Sequence, residues 1–338
     1  MNITTVGIDL AKNVFQLHGV DDQGRNIVQK KIARHKLPEF MANLPPCLIG
    51  LEACGGAHYW ARKFSQIGHQ VKLMSPQFVK PYVKSNKNDA LDAQAICEAV
   101  TRPTMRFVAP KSIEQQDIQS LHRIRSNFVK QRTALTNQIR GLLAEYGIII
   151  AQGITHVRKK LPEIVEDANN DLSFYGRQLF NELLNTLQDL DKKVDHYNQQ
   201  VETVCKNNEI CQRLVKIEGV GALTATALVA SIGDAQVFKN GREMSAFIGL
   251  VPKQHSSGGK TKLLGISKRG DRYLRCLLIH GARAVISRSK NLPKKKAQWL
   301  ADLIERRGKN RAIVALANKN VRMMWAMMAH DEQYCAAK

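Results

Sequence analysis

The 338-residue chain contains no apolar run approaching the roughly 18 residues that a membrane-crossing helix needs. It opens with no basic stretch followed by an apolar one, so a secretory leader is not expected. Its seven cysteines (Cys47, Cys54, Cys97, Cys205, Cys211, Cys276 and Cys335) form no C-x-x-C pair, which points to a reduced cytosolic protein without a structural zinc site. There is no repeat at solenoid spacing and no low-complexity linker. Acids are scarce as well: 29 Asp+Glu face 51 Lys+Arg, a net charge of +22. With 44% apolar residues the chain can bury real cores, so this excess is not that of a disordered basic tail. It calls for a polyanionic partner, most simply nucleic acid.

The charge is unevenly spread. Residues 1–110 carry 14 Lys+Arg and 8 acids, residues 111–213 carry 14 and 13, and residues 214–338 carry 23 and 8. The nets are +6, +1 and +15, and they suggest three modules. In the first, apolar or alternating runs at 4–8, 14–20 and 26–32 predict a strand meander. A short helix at 38–43, a strand at 47–51, a helix at 59–67, a strand at 70–74 and a helix at 89–100 follow. The order βββαβαβα is that of an α/β RNase H-like (RuvC-like) domain. The middle module reads as helical, with apolar residues at 118, 121, 128, 135, 139 and 142. Leu183, Leu187, Leu190, Val194, Tyr197, Val201 and Val204 form a heptad seam expected in a coiled coil, within the chain or, as favoured here, between subunits. The third module reads as mainly α-helical with Gly-rich turns.

The few acids of the first module are placed unusually. Asp9 ends V-G-I-D in an apolar strand, where a carboxylate is costly unless compensated. Glu52 follows the buried strand Leu48-Ile49-Gly50-Leu51, and Asp89 and Asp92 share one helix face. Singly these are ordinary caps or first-turn acids. Together, in fold order, they suit a site where two Mg²⁺ ions about 4 Å apart serve phosphoryl chemistry. All-oxygen donors favour Mg²⁺ or Mn²⁺ over zinc. Sugar kinases and actin-like ATPases also open on G-I-D, but Leu10-Ala11-Lys12-Asn13 lacks their phosphate loop.

In the third module Gly219-Val220-Gly221 reads as the turn of a helix-hairpin-helix that grips a phosphate backbone, with an ordinary helical turn as the alternative. Further on, 13 basic residues and one acid occupy 253–296. Ser256-Ser257-Gly258-Gly259 lies in this field beside Lys260 and Lys262. A serine there is either a phosphate-binding loop residue or a nucleophile whose developing charge the cations offset. Lys268, Arg269, Arg272 and Arg275 continue the field, and Arg272 and Arg275, one turn apart, are expected to face phosphates.

These motifs together resemble the DEDD insertion-sequence transposases, the bridge-RNA-guided serine recombinases related to pilin-inversion invertases. V-G-I-D-L-A-K, L-E-A-C-G-G and N-D-A-L-D-A match the RuvC-like part. I-E-G-V-G-x-x-T-A, F-I-G-L-V-P and S-S-G-G-K…I-S-K-R-G-D-R-Y-L-R match the C-terminal transposase part. The resemblance implies a tetrad of Asp9, Glu52, Asp89 and Asp92 holding divalent metal. It implies a nucleophilic Ser257, with Ser256 as fallback, that forms a covalent phosphoserine with DNA. It further implies donor and target DNA as substrates, a structured non-coding guide (bridge) RNA, a homotetramer, and action in the bacterial cytoplasm at the nucleoid. The expected modules are a RuvC-like DEDD domain at 1–110, a coiled-coil region at 111–213 and a transposase domain at 214–338. The rival readings are a metal-dependent RuvC-like junction-resolving nuclease using the acids alone, and a non-enzymatic RNA–DNA scaffold.

Overall fold

A computed structural model describes residues 2–83, 89–288 and 292–334. They form two compact units, Met1–Ser112 and Ile113–Lys338, each described by itself. Among the described residues no helix is long and apolar enough to cross a membrane.

The first unit is a six-stranded mixed sheet with helices. In chain order its elements are β1 (Thr5–Asp9), β2 (Val14–Val20), β3 (Asn26–Ala33), α1 (Leu37–Ala42), β4 (Leu48–Glu52), α2 (Ala57–Gln66), β5 (Gln70–Met74), α3 (Pro76–Val79), α4 (Asp89–Val100) and β6 (Phe107–Val108). The sheet order is β3-β2-β1-β4-β5-β6. β1 pairs antiparallel with β2 and parallel with β4, and β4 pairs parallel with β5. The sixth strand, two residues long, is too short to leave a periodic signal in the sequence.

Helix α4 lies across β1 and β4 at a distance that only glycine permits. A Cβ on Gly7 would fall 2.3 Å from the Ala93 carbonyl oxygen and 2.4 Å from the Cys97 amide nitrogen. One on Gly50 would fall 2.9 Å from Val100 Cβ. The buried face of α4 is itself small, with Ala93, Ala95, Ala99 and Cys97 beside Ile96 and Val100. Residue 93 sits over Gly7, and Cys97 Sγ lies 3.8 Å from the Thr5 carbonyl, so α4 runs opposite to β1.

The second unit is helical with one hairpin. It comprises α5 (Ile113–Ala144), α6 (Ile154–Glu166), α7 (Phe174–Lys206), α8 (Glu209–Leu214), α9 (Ala222–Ile232), α10 (Gly241–Ile248), β7 (Pro252–Ser257), β8 (Lys260–Ile266), α11 (Arg272–Ser287), α12 (Lys294–Arg307) and α13 (Lys309–Ala329). α5 and α7 pair antiparallel. Phe128 stacks on Tyr197 with centroids 5.5 Å apart, Arg132 bridges Asp191 at 3.0 Å, and Arg125 donates to Asn198 at 2.6 Å. Leu187, Leu190, Val194 and Val201 of the heptad seam are buried in this arrangement. Much of the seam is therefore covered within one chain.

His122 ties three helices of this unit together. The Thr226 hydroxyl donates to the Ala222 carbonyl at 2.7 Å, so it accepts from His122 Nε2–H at 3.0 Å. Nδ1 is then left to accept from the Tyr273 hydroxyl, also at 3.0 Å. Burial, helped by Arg125, holds the imidazole down to about 4. A pKa depressed in the fold means stability that is complete above the unfolded value near 6.5 and falls as pH drops toward 4.

Two outcomes follow from these contacts. Acidification from pH 6.5 to 4 is expected to lower stability through His122 by up to about 3 kcal/mol, taking 1.36 kcal/mol per unit. Urea unfolding of wild type and His122→Gln across that range measures the difference, which should shrink at the acid end. Gly7→Ala should cost at least about 1–3 kcal/mol, because the methyl group meets backbone that cannot move aside; urea unfolding checks this as well.

Candidate active site

The site begins with strand ends. β1 is buried from Thr5 to Ile8 and emerges at Asp9, and β4 is buried from Ile49 to Leu51 and emerges at Glu52. The two strands are parallel neighbours with Ile8 opposite Leu51. The next residue of each, Asp9 and Glu52, therefore reaches the same carboxyl edge of the sheet. Because α4 runs back over β1, its first turn with Asp89 and Asp92 comes down on that edge.

The result is a cluster of like charge. Ligand atoms of Asp9, Asp89 and Asp92 all lie within 4.8 Å of one another. Glu52 is pushed above the ordinary carboxylate range by burial, and then by the charges of Asp9 and Asp92. Its response places it in the same electrostatic neighbourhood. Among the described residues neither Glu52 nor Asp92 takes part in an ion pair. Such a cluster attracts a cation, and carboxylate oxygens are the donors that hard divalent ions take.

The second unit holds the expected serine on a two-stranded ribbon where the sequence had read as a loop. β7 and β8 pair antiparallel, with Ser257 opposite Lys260, Ser256 opposite Thr261 and His255 opposite Lys262. Gly258 and Gly259, at φ 53° and 75°, make the two-residue turn that left-handed residues favour. Every residue of β7 is exposed. Side chains alternate between the two faces of a strand. One face therefore carries His255, Ser257, Lys260 and Lys262, and the other carries Gln254, Ser256 and Thr261. Ser256 Oγ is engaged on its own face, accepting from Gln254 Nε2 at 2.7 Å and donating to Thr261 Oγ1 at 3.4 Å. His255 belongs to none of the motifs in the sequence. Its position two residues before Ser257 is the period-two signal that finds it.

Other expected nucleic-acid contacts fall differently. Arg275 is buried at 7% exposure and donates to the Ile248 carbonyl at 2.8 Å and the Arg269 carbonyl at 2.7 Å. Its guanidinium is spent on the root of the hairpin and does not face solvent phosphates, as its spacing from Arg272 had suggested. Gly219 is a packing residue: a Cβ there would meet Gly281 of α11 at 2.9 Å. α8 ends at Leu214, and residues 215–221 form a connection with Gly221 at the N-cap of α9. Gly221 has open space around it, and Lys260, Lys262, Lys268, Arg269 and Arg272 are exposed.

A mixed sheet with Asp, Glu, Asp and Asp gathered at one strand edge defines a DEDD-type nucleic-acid-processing domain, and residues 6–148 match the DEDD transposase domain of that kind. Residues 211–299 match the description "Transposase IS116/IS110/IS902 family". The chain is 47% identical over 335 residues to a probable family 20 transposase of Pseudomonas aeruginosa, covering 99% of each. It is 50% identical over 337 residues to the transposase for insertion sequence element IS1111A of Coxiella burnetii, covering 99% of this chain and 93% of that one. A pilin gene-inverting protein of Moraxella bovis is 23% identical over 357 residues, with 99% and 98% covered. The chain belongs to the IS110/IS116 transposase family and is an insertion-sequence transposase.

A DEDD transposase domain implies a divalent metal, typically Mg²⁺, and the three clustered aspartates with the repelled Glu52 fit one. Mg²⁺ at about 100 times its Kd is expected to stabilise the protein by about 2.7 kcal/mol. Asp9→Asn or Asp92→Asn should cancel that rise in Tm. Without metal at neutral pH, Glu52→Gln should raise Tm, because it removes a charge the fold disfavours. Thermal melts with and without Mg²⁺ check both.

Proposed function

We propose that this transposase cuts and rejoins DNA through a covalent bond between Ser257 and a DNA phosphate. The observation that carries the reading is the register of the hairpin, which sets Ser257 with His255, Lys260 and Lys262 on one face and commits Ser256 to hydrogen bonds on the other. In the reaction the Ser257 Oγ–P bond forms as the P–O3′ bond breaks. The serine proton is lost and the departing 3′ oxygen gains one, so the step balances without a co-reactant. The phosphoserine keeps the energy of the broken ester, and a 3′ hydroxyl of another strand reverses the step to join the exchanged ends. Lys260 and Lys262 offset charge that grows on the phosphate oxygens. Asp9, Glu52, Asp89 and Asp92 would hold divalent metal, which supplies charge neutralisation for the oxygens entering and leaving phosphorus.

On this reading donor and target DNA are the substrates, and a structured non-coding guide (bridge) RNA selects the sites by base pairing. The +15 of the C-terminal third supports a large nucleic-acid partner. Assembly of copies, to the tetramer the resemblance implies, is supported by apolar residues left open among the helices of the second unit. Phe174 and Ile149 are each 78% exposed and Tyr175 is 68% exposed. Large apolar side chains left open to solvent are the material that subunit contacts cover.

A second reading, a junction-resolving nuclease, draws on the gathering of the acids within the first unit alone. It predicts nicks by water and no protein–DNA bond. Incubation with Mg²⁺ and DNA carrying the element's ends, followed by a denaturing gel, separates the two. The serine reading expects a covalent adduct in the wild type and in Ser256→Ala, reduced to background in Ser257→Ala. An adduct that survives in Ser257→Ala would sink it. RNA copurifying with the protein, sequenced and matched to DNA flanking the gene, tests the guide.

A further inference from the structure

The second unit contains a groove of about 1690 Å³ between the base of the hairpin and helices α12 and α13. That is larger than the roughly 300–1,000 Å³ of a small-molecule pocket. Its walls carry five cationic side chains. Arg311, Lys319 and Arg322 follow one another along α13 at spacings of eight and three, which keeps them on one face. Arg307 ends α12 and Arg242 lies in the first turn of α10. All five are exposed, and among the described residues none is in an ion pair and no Asp or Glu lines the groove. Cations brought together without acids repel one another and attract a polyanion.

The same walls are aromatic and aliphatic. Lys319 Nζ lies 4.4 Å over the Trp299 ring, so one position offers an aromatic surface and a charge together. Leu263, 64% exposed, adds apolar surface from β8. Bases inside a duplex are stacked on one another and cannot reach such groups. The bases of a single strand can, while its phosphates follow the cations. β8 also begins at Lys260, opposite Ser257, and the wall residue Leu264 lies four residues further on the same face of the ribbon, about 13 Å along the strand. A strand leaving the groove at the hairpin is thus about a nucleotide or two from the serine.

We propose that this groove holds an unpaired DNA strand next to the phosphate that Ser257 attacks. The choice of DNA over RNA rests on the serine reading; the existence of a single-strand site does not. The test uses full-length protein without Mg²⁺, so that no cleavage enters the readout, and fluorescence anisotropy with one labelled sequence as single-stranded DNA, duplex DNA and single-stranded RNA. Arg311→Glu combined with Arg322→Glu should weaken single-stranded DNA binding about tenfold or more. It should also flatten the dependence on log salt by about 1.4, the loss of two contacts at 0.7 each. Arg311→Lys with Arg322→Lys should retain binding, and an unchanged Tm for the Glu pair verifies its fold. Trp299→Leu should weaken single-stranded binding several-fold and spare the duplex. The proposal is overturned if the Glu pair leaves single-stranded affinity and salt slope unchanged, weakens the duplex as much, or affects RNA more than DNA. Because the covalent adduct is a separate measurement, failure of the groove and failure of the serine are told apart.

Discussion

The contact between α4 and the sheet is the constraint on which the first unit depends. An acidic edge needs carboxylates from two strands and a helix to converge, although each repels the others. Hydrophobic contact supplies the force, and it does so because Gly7 and Gly50 remove the side chains that would keep the helix off the strands. With the helix seated, Asp89 and Asp92 have no choice but to approach Asp9 and Glu52. Stability and charge are therefore opposed at this edge. The raised pKa of Glu52 is the local sign of that opposition, and a bound cation removes it.

The serine is placed by a different logic. No packing surrounds it; strand register alone selects which hydroxyl joins the lysines. A shift of one residue would exchange the faces and give Ser256 the neighbours of Ser257. The two glycines at the turn, both left-handed, and the paired residues behind them fix that register. The acidic edge is shaped by burial and the ribbon by alternation.

Much of the first unit could be read from the residues because its signals are local. The strand at 70–74 and the helix at 89–100 carry clear apolar patterns, and Asp9 stands out because a carboxylate in an apolar strand is costly. What escaped reading depends on contacts distant in sequence. The hairpin is polar at its tip, and its leucines, Leu263 and Leu264, are consecutive, so no alternation marks it as a pair of strands. Arg275 has the spacing of a surface residue, and only the carbonyls of Ile248 and Arg269 show why it is buried. Gly219 reads as a phosphate turn, and only the approach of Gly281 shows that it is a packing position as well. The heptad seam was legible, but its partner, α5 of the same chain, is a matter of tertiary structure.

The hairpin is clamped at one end only. Gly249 and Gly270 let the backbones on either side of its root touch, since a Cβ on them would fall 2.1 and 2.0 Å from the Arg269 and Phe247 carbonyl oxygens. The Ser267 amide donates to the Val251 carbonyl at 2.7 Å, and Arg275 fastens the same corner from below. From there six residues of extended chain reach about 20 Å to Ser257. The ribbon is a lever, and it magnifies whatever happens at its fulcrum. A tilt of about 5° at the root moves the hydroxyl by nearly 2 Å, and displacements of about 1 Å are enough to slow a positioned reaction a hundredfold. On the serine reading proposed above, residues with no part in the chemistry, buried where the ribbon leaves the helical core, set how well the serine is aimed.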